Sequence, residues 1–222
     1  MNFPDDLFPP IWTWFGFSAI AAVWLWCLRS APWRRLQDAE RFNVWLGAIV
    51  AACVLWSIQA SVRSGLNLHL LGATAFTLMF GRQLAILGIS AVAALVAANG
   101  AAGWDAYPLT VLASAAVPCF LSHALRRAIE RRLPANLFVY IFGAAFFGAA
   151  VCLLAAGTLA AALLWCAGIY PARVLWAEYL IPLALLAFAE AWLNGALVTL
   201  MAVYYPHWLE SFEERRYLSA GR

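Results

Sequence analysis

Seven long apolar runs fill most of this 222-residue chain, and short segments that carry most of its charges separate them. Hydrophobic residues make up 65% of the sequence and charged residues only 11%. Soluble domains contain about 45–50% apolar and about 25% charged residues. A water-soluble fold of this composition would have too few polar side chains to cover its surface. The sequence therefore predicts an all-α integral membrane protein.

The seven runs predict seven membrane-spanning helices, each of which needs roughly 20 residues. Seven such helices with short loops use the whole chain, so we expect a single transmembrane domain over residues 1–222. The third run is short and begins with polar residues. Acidic Asp5 and Asp6 precede the first run, which is unlike a cleavable signal peptide. The predicted spans are 10–28, 43–60, 65–81, 84–98, 108–125, 137–166 and 180–204.

The arginines predict the orientation of the chain, because cytoplasmic loops collect basic residues. All 14 basic side chains are arginines. If seven helices alternate in direction, twelve of the arginines lie on one side of the membrane and two on the other. The sequence therefore predicts an N-terminus outside and a C-terminus in the cytoplasm. The twelve are Arg29, Arg34, Arg35, Arg41, Arg82, Arg126, Arg127, Arg131, Arg132, Arg215, Arg216 and Arg222, and the two are Arg63 and Arg173.

Two ionisable residues are predicted to lie inside the membrane, where charge is costly and often functional. His69 lies near the outer end of the third span, two residues after Asn67. It is a candidate metal or substrate ligand, or a histidine hydrogen-bonded to a neighbouring helix. Glu190 lies near the middle of the last span. It is a candidate gate or ion-path residue, or a buried carboxyl that fixes helix packing together with Asn194.

The sequence contains none of the signatures of soluble enzymes, such as a catalytic triad order, H-E-x-x-H or a phosphate-binding loop. The net charge of +3 does not indicate a nucleic-acid partner. The five cysteines are scattered, which is typical of small buried thiols. We therefore expect neither enzymatic activity nor a prosthetic group, and we expect His123 and His207 to be interfacial. A membrane enzyme with a haem site at His69 and His123 is a minor alternative.

Four short stretches resemble the energy-coupling-factor permease family for cobalt and nickel, the CbiM/NikM substrate-binding proteins. The most specific is Gly65–Gly72, which resembles the family's Gly-x-x-x-His-Leu-Leu-Gly. Asn2–Asp5 resembles its N-terminal His-x-Pro-Asp-Gly. Ala189–Ala191 resembles its Gly-Glu-Ala in the last helix, and Tyr205–Trp208 resembles the Arg-Pro-Asp/Glu that follows. The similarity covers nearly the whole chain, and the family likewise has about seven helices with the N-terminus outside.

The resemblance implies a metal site made by the N-terminal segment, folded back into the helix bundle. Its ligands would be the terminal amine of Met1, the backbone nitrogen and side chain of Asn2, and the imidazole of His69. Asn2 stands where the family has a histidine, and a carboxamide is a harder and weaker ligand for nickel or cobalt. We expect Leu183 to replace a second family histidine, and the family's asparagines are missing from the nearly apolar stretch 109–118. Three nitrogen ligands remain, which copper also suits.

The function implied is that of the substrate-binding membrane component of an ABC-type importer in a bacterial inner membrane. Its substrate would be a divalent transition metal ion: nickel, cobalt or copper. A coupling transmembrane protein and cytoplasmic ATPase subunits would be separate chains, and the lipid bilayer would surround the domain. The alternative is a non-transporting structural or assembly protein that keeps the permease fold but has lost the metal site.

Overall fold

A computed structural model describes residues 1–212 and 217, which form long helices with one short hairpin. The predictions for Arg215, Arg216 and Arg222 lie outside the described residues. Short 3₁₀ turns at Trp33–Gln37 and Pro206–Trp208 follow the first and last long helices. The long elements are α1 (Pro10–Ser30), α2 (Ala39–Ser57), β1 (Ala60–Arg63), β2 (Leu66–Leu68), α3 (Ala73–Ala98), α4 (Tyr107–Arg132), α5 (Leu137–Cys166) and α6 (Ala172–Tyr204).

Within the described residues, six helices are long and apolar enough to cross a membrane, whereas the sequence predicted seven. The prediction of a continuous third span at 65–81 is wrong. The antiparallel hairpin β1–β2 occupies its start, and the helix begins only at Ala73. The hairpin forms because Gly65 adopts φ 77° at the turn, a conformation that glycine reaches at little cost.

Helix α3 turns back on itself at Gly81, whose φ of 76° and ψ of 163° are not helical. A Cβ atom on Gly88 would lie 3.0 Å from a ring carbon of Phe76, although twelve residues of straight helix span about 18 Å. The segments before and after Gly81 therefore pack side by side and run in opposite directions. A Cβ on Gly81 would lie 2.2 Å from a carboxylate oxygen of Glu210. Both the backbone angle and the lack of space favour glycine there.

The core of the bundle is built around α3 and α4, which are mostly buried, whereas α1 and α2 expose most of their surface. The exposed side chains of the outer helices are large and apolar, such as Trp14, Leu25, Val50 and Val54. Apolar side chains exposed along a whole helix are what a lipid-facing surface requires.

The two ends of the bundle differ in charge. Arg35 pairs with Glu210, and the Arg82 guanidinium lies 4.9 Å from the ring centroid of Trp26 at the same end. Eleven of the 14 arginines lie within the described residues. Nine of these eleven lie at or next to this end of the bundle. The nine are Arg29, Arg34, Arg35, Arg41, Arg82, Arg126, Arg127, Arg131 and Arg132, whereas Arg63 and Arg173 lie at the other end.

Candidate metal site

The N-terminal segment enters the helix bundle, as the family resemblance implies. Met1, Asn2 and Phe3 are fully buried. Two hydroxyls of α4 hold their backbone: Ser114 Oγ donates to the Met1 carbonyl at 3.3 Å, and the Phe3 N–H donates to Thr110 Oγ1 at 3.4 Å. These bonds satisfy polar backbone groups that an apolar interior would otherwise leave without partners.

The loop between α3 and α4 closes over the same segment. The Gly103 N–H donates to the Phe3 carbonyl at 2.8 Å, and the Asp105 N–H donates to Asp5 Oδ1 at 3.0 Å. A Cβ atom on Gly103 would lie 2.2 Å from the backbone nitrogen of Asp5. A glycine is therefore needed for the two backbones to approach this closely.

The hairpin β1–β2 covers the segment from another side. Asn67 Nδ2 donates to the Asn2 carbonyl at 2.8 Å, and Ser61 Oγ donates to Asn67 Oδ1 at 2.7 Å. Arg63 joins the hairpin to α6 through a hydrogen bond of 2.7 Å to Glu178. Asn67 therefore holds the N-terminal segment through the backbone carbonyl of Asn2.

The terminal amine of Met1 is in direct contact with Nε2 of His69, which is 1% exposed. The other ring nitrogen, Nδ1, lies 3.0 Å from the Leu70 carbonyl. A carbonyl only accepts, so Nδ1 carries the proton and the lone pair of Nε2 faces the amine. The Trp56 ring packs against the imidazole with centroids 4.5 Å apart. A histidine whose second nitrogen donates to a backbone carbonyl has the orientation usual for a metal ligand.

Glu190 holds the chain just after His69. Its two carboxylate oxygens accept the N–H groups of Leu71 and Gly72, each at 2.8 Å. Asn194 Nδ2 donates to the same carboxylate at 2.9 Å, and Asn194 Oδ1 accepts from the Ala75 N–H at 2.8 Å. The first N–H groups of a helix have no partners within it, and a negative charge is favourable there. This geometry favours the interpretation of Glu190 and Asn194 as a buried pair that fixes packing.

The side chain of Met1 occupies an apolar recess beside Leu183. A Cβ atom on Gly157 would lie 2.9 Å from the Met1 methyl carbon and 2.2 Å from a methyl group of Leu183. The position expected to have lost a family histidine is thus filled by apolar packing against the N-terminal residue.

The Met1 amine and the His69 imidazole meet here, and Asn2 follows Met1 in the chain. Within residues 1–212 and 217, no three His, Cys, Asp or Glu side chains cluster in a way that could hold a metal ion. The Asn2 carboxamide donates to Gln59 Oε1 at 3.3 Å through Nδ2, while its Oδ1 is buried without a hydrogen-bond partner.

A sequence model of the family described as CbiM, "cobalt uptake substrate-specific transmembrane region", matches residues 2–208. The chain belongs to the CbiM family. It is therefore a multi-pass membrane protein and a component of a metal transporter, in a family of transporters and not of enzymes.

Two solved structures share the fold of this CbiM-family chain. The crystal structure of a truncated transition metal transporter superposes with a TM-score of 0.77 at 15% identity, covering 91% of this chain and 98% of that one. A second transition metal transporter gives 0.78 at 16% identity, covering 91% and 92%. At these identities the likeness concerns the fold alone. No curated protein sequence matches the chain significantly.

The minor alternative of a haem held by His69 and His123 is wrong for this CbiM-family chain. His69 lies beside the N-terminal amine. His123 is half-buried among the charges of Arg82, Arg126 and Glu210 at the arginine-rich end. Because the two histidines lie in different halves of the bundle, they cannot share a haem.

Sequence reasoning missed the residues that hold the N-terminal segment in place. Thr110 and Ser114 lie in the stretch 109–118, which looked nearly apolar, yet they are its two hydroxyls and lie four residues apart. Residues at that spacing share one face of a helix, so the sequence already indicated a polar pair on one face of this apolar stretch. Gln59 and Gly103 carried no comparable signal, because their roles depend on loops that meet only in the folded bundle.

Proposed function

We propose that this chain is the substrate-binding membrane component of an energy-coupling-factor ABC-type importer for a divalent transition metal ion. The observation that carries the proposal is the direct contact between the buried Met1 amine and Nε2 of His69. A chain terminus is normally hydrated, and burying it costs free energy unless it gains a partner. Two nitrogen lone pairs that converge in a dry interior gain most by sharing a metal ion.

The donor set suits such an ion. The Met1 amine and the backbone nitrogen of Asn2 are adjacent in the chain and can chelate together, and His69 adds an imidazole. Nitrogen-rich sites of this kind suit nickel and copper in square-planar or tetragonal geometry. Glu190 holds the backbone of Leu71 and Gly72, which directly follows His69, and so fixes the position of the imidazole donor.

The proposal includes seven membrane crossings, with the N-terminus outside and the C-terminus in the cytoplasm of a bacterial inner membrane. Gly72 bonds to Glu190 in the middle of α6, whereas Met79 bonds to Glu210 beyond the end of α6. The hairpin, the extended segment and the short helix before Gly81 together make the third crossing. The nine arginines at the Glu210 end support its assignment to the cytoplasm. A coupling transmembrane protein and cytoplasmic ATPases, as separate chains, complete the importer.

Cysteine labelling in intact cells tests the orientation. We expect single cysteines at 126–136 to be shielded from a membrane-impermeant reagent and those at 99–107 to react. Labelling of the 126–136 loop from outside would contradict the seven-crossing topology.

Metal binding by the detergent-purified full chain tests the site. We expect wild type to retain a stoichiometric transition metal ion after dialysis, measured by elemental analysis and calorimetry. His69→Ala removes the imidazole, and one extra N-terminal residue displaces the amine, so each change should abolish binding. His207→Ala is the matched control, because His207 bonds to Glu40 at the opposite end, at 2.9 Å. Undiminished binding by the extended chain would refute the site.

The departure at Asn2 specifically favours one second candidate, a non-transporting structural or assembly protein. If wild type stays empty while Asn2→His gains a stoichiometric ion, the fold has kept a metal permease scaffold without a working site. That result would favour the second candidate over transport.

A further inference from the structure

The side chain of Asn2 is completely buried, yet only one end of its carboxamide is bonded. Nδ2 donates to Gln59 Oε1 at 3.3 Å, and Oδ1 has no hydrogen-bond partner. The backbone carbonyl of the same residue is held by Asn67. Buried polar atoms without partners are rare in folded proteins, and a water, an ion or local strain accounts for each. In the part of the chain that the structure describes, the hydroxyls of Thr74, Ser122 and Tyr179 are the others. Here the orphaned atom belongs to the residue next to the terminal amine.

Covalent geometry allows this oxygen to join the amine and His69 in holding one ion. An ion that displaces the proton of the Asn2 backbone N–H to solvent and binds that nitrogen closes a five-membered chelate ring with the Met1 amine. It closes a six-membered ring with Asn2 Oδ1, which is the ring size that Nδ1 of a histidine at this position would give. The bond from Nδ2 to Gln59 leaves the oxygen end of the amide free for this role.

We propose that Asn2 Oδ1 is the fourth donor of a three-nitrogen, one-oxygen site that selects Cu(II) over Ni(II) and Co(II). This inference rests on the proposed function. A carboxamide oxygen exerts a weaker ligand field than an imidazole nitrogen, and square-planar Ni(II) depends on a strong field. Cu(II) keeps a tetragonal geometry with mixed nitrogen and oxygen ligands and binds most tightly in the divalent series. Asn2 is therefore a specificity-determining residue.

The experiment compares Cu(II), Ni(II) and Co(II) affinities of the full chain in detergent, by competition with a chelator. Mass spectrometry first verifies a free Met1 amine in every sample. Asn2→Leu keeps the shape of the side chain without its oxygen, and a leucine is too large to promote removal of Met1. Gln59→Leu is the matched control, because it removes the hydrogen bond to Nδ2 and leaves the oxygen. Asn2→His supplies a fourth nitrogen.

We expect wild type to bind Cu(II) at least tenfold more tightly than Ni(II). Asn2→Leu should weaken Cu(II) binding by more than the roughly 10–100-fold typical of outer-shell changes, while Gln59→Leu stays close to wild type. Asn2→His should narrow the Cu(II)-to-Ni(II) ratio and move the visible Cu(II) band to shorter wavelength, because the ligand field rises.

Equal Cu(II) affinity and an identical Cu(II) electron paramagnetic resonance spectrum for Asn2→Leu and wild type would overturn the oxygen ligand. The oxygen ligand would also be overturned if wild type bound none of the three ions while Asn2→His bound Ni(II). The proposed metal-site scaffold would still stand in that case. If neither wild type nor Asn2→His binds any of the three ions, the proposed function itself fails.

Discussion

Two glutamates join neighbouring segments of this bundle, one at its centre and one at its end. Glu190 on α6 bonds to the backbone that precedes the first helical segment of α3 and is 1% exposed. Glu40 on α2 accepts from Trp208 Nε1 at 3.0 Å and contacts His207 in the 3₁₀ turn Pro206–Trp208, with its side chain 59% exposed. Both carboxylates accept hydrogen bonds from a segment distant in sequence, but Glu190 is buried and Glu40 is exposed.

The difference in burial decides how much each contact contributes to stability. Water replaces a lost partner at an exposed carboxylate, so such contacts add little to stability. In a dry interior nothing replaces it, and the donors left behind carry the full desolvation penalty. We therefore expect the centre of the bundle, next to the candidate site, to be held more rigidly than the arginine-rich end.

The largest expected effect comes from Glu190→Leu. This change leaves the N–H groups of Leu71 and Gly72 without an acceptor and leaves the Asn194 amide with only the backbone carbonyl of residue 190. We expect a loss of about 3–5 kcal/mol, as for other broken buried charge contacts. Glu190→Gln keeps one acceptor oxygen and should lose about 1–3 kcal/mol. Thermal unfolding in detergent gives the ranking. Equal stability of Glu190→Leu and Glu190→Gln would contradict the expected difference between the buried centre and the exposed end of the bundle.

Gly81→Ala tests the end of the bundle and should have an intermediate effect. The φ of 76° and ψ of 163° lie in a region that is essentially restricted to glycine, and an alanine there costs about 1–3 kcal/mol. The collision with Glu210 should cost little if that exposed end adapts, so adding Glu210→Ala should recover almost nothing. Gly47→Ala is the control: no atom lies within 4 Å of its added Cβ, and it should stabilise α2 by about 0.5–1 kcal/mol. A large recovery in the double variant would show that the end is rigid.

Glu40→Gln should have the smallest effect. The amide keeps an oxygen for Trp208 Nε1, and water can solvate the rest of the exposed side chain. We expect the melting temperature to stay unchanged within the error of the measurement. A loss as large as that of Glu190→Gln would mean that the Glu40 contact is as buried in the membrane as the central one.

The comparison of Glu190 with Glu40 also shows where sequence reasoning was sufficient. The apolar runs at 10–28 and 137–166 correspond closely to α1 and α5, because a membrane helix depends on local hydrophobicity and length. His69 and Glu190 could be selected as candidates because ionisable residues are rare in such runs. The family followed from the order of four short motifs, and the family model confirms it.

Other features depend on residues that meet only in the folded chain. An apolar run at 65–81 does not reveal whether a helix begins at its start or at Ala73, because the positive-φ turns at Gly65 and Gly81 lie beside Leu7 and Glu210, which are distant in sequence. The role of Glu190 depends on N–H groups almost 120 residues away in sequence. Local hydrophobicity determined by itself that the chain is a helical membrane protein. Only the tertiary structure decided which polar groups face each other in the interior, since each had to find a partner where water could not provide one.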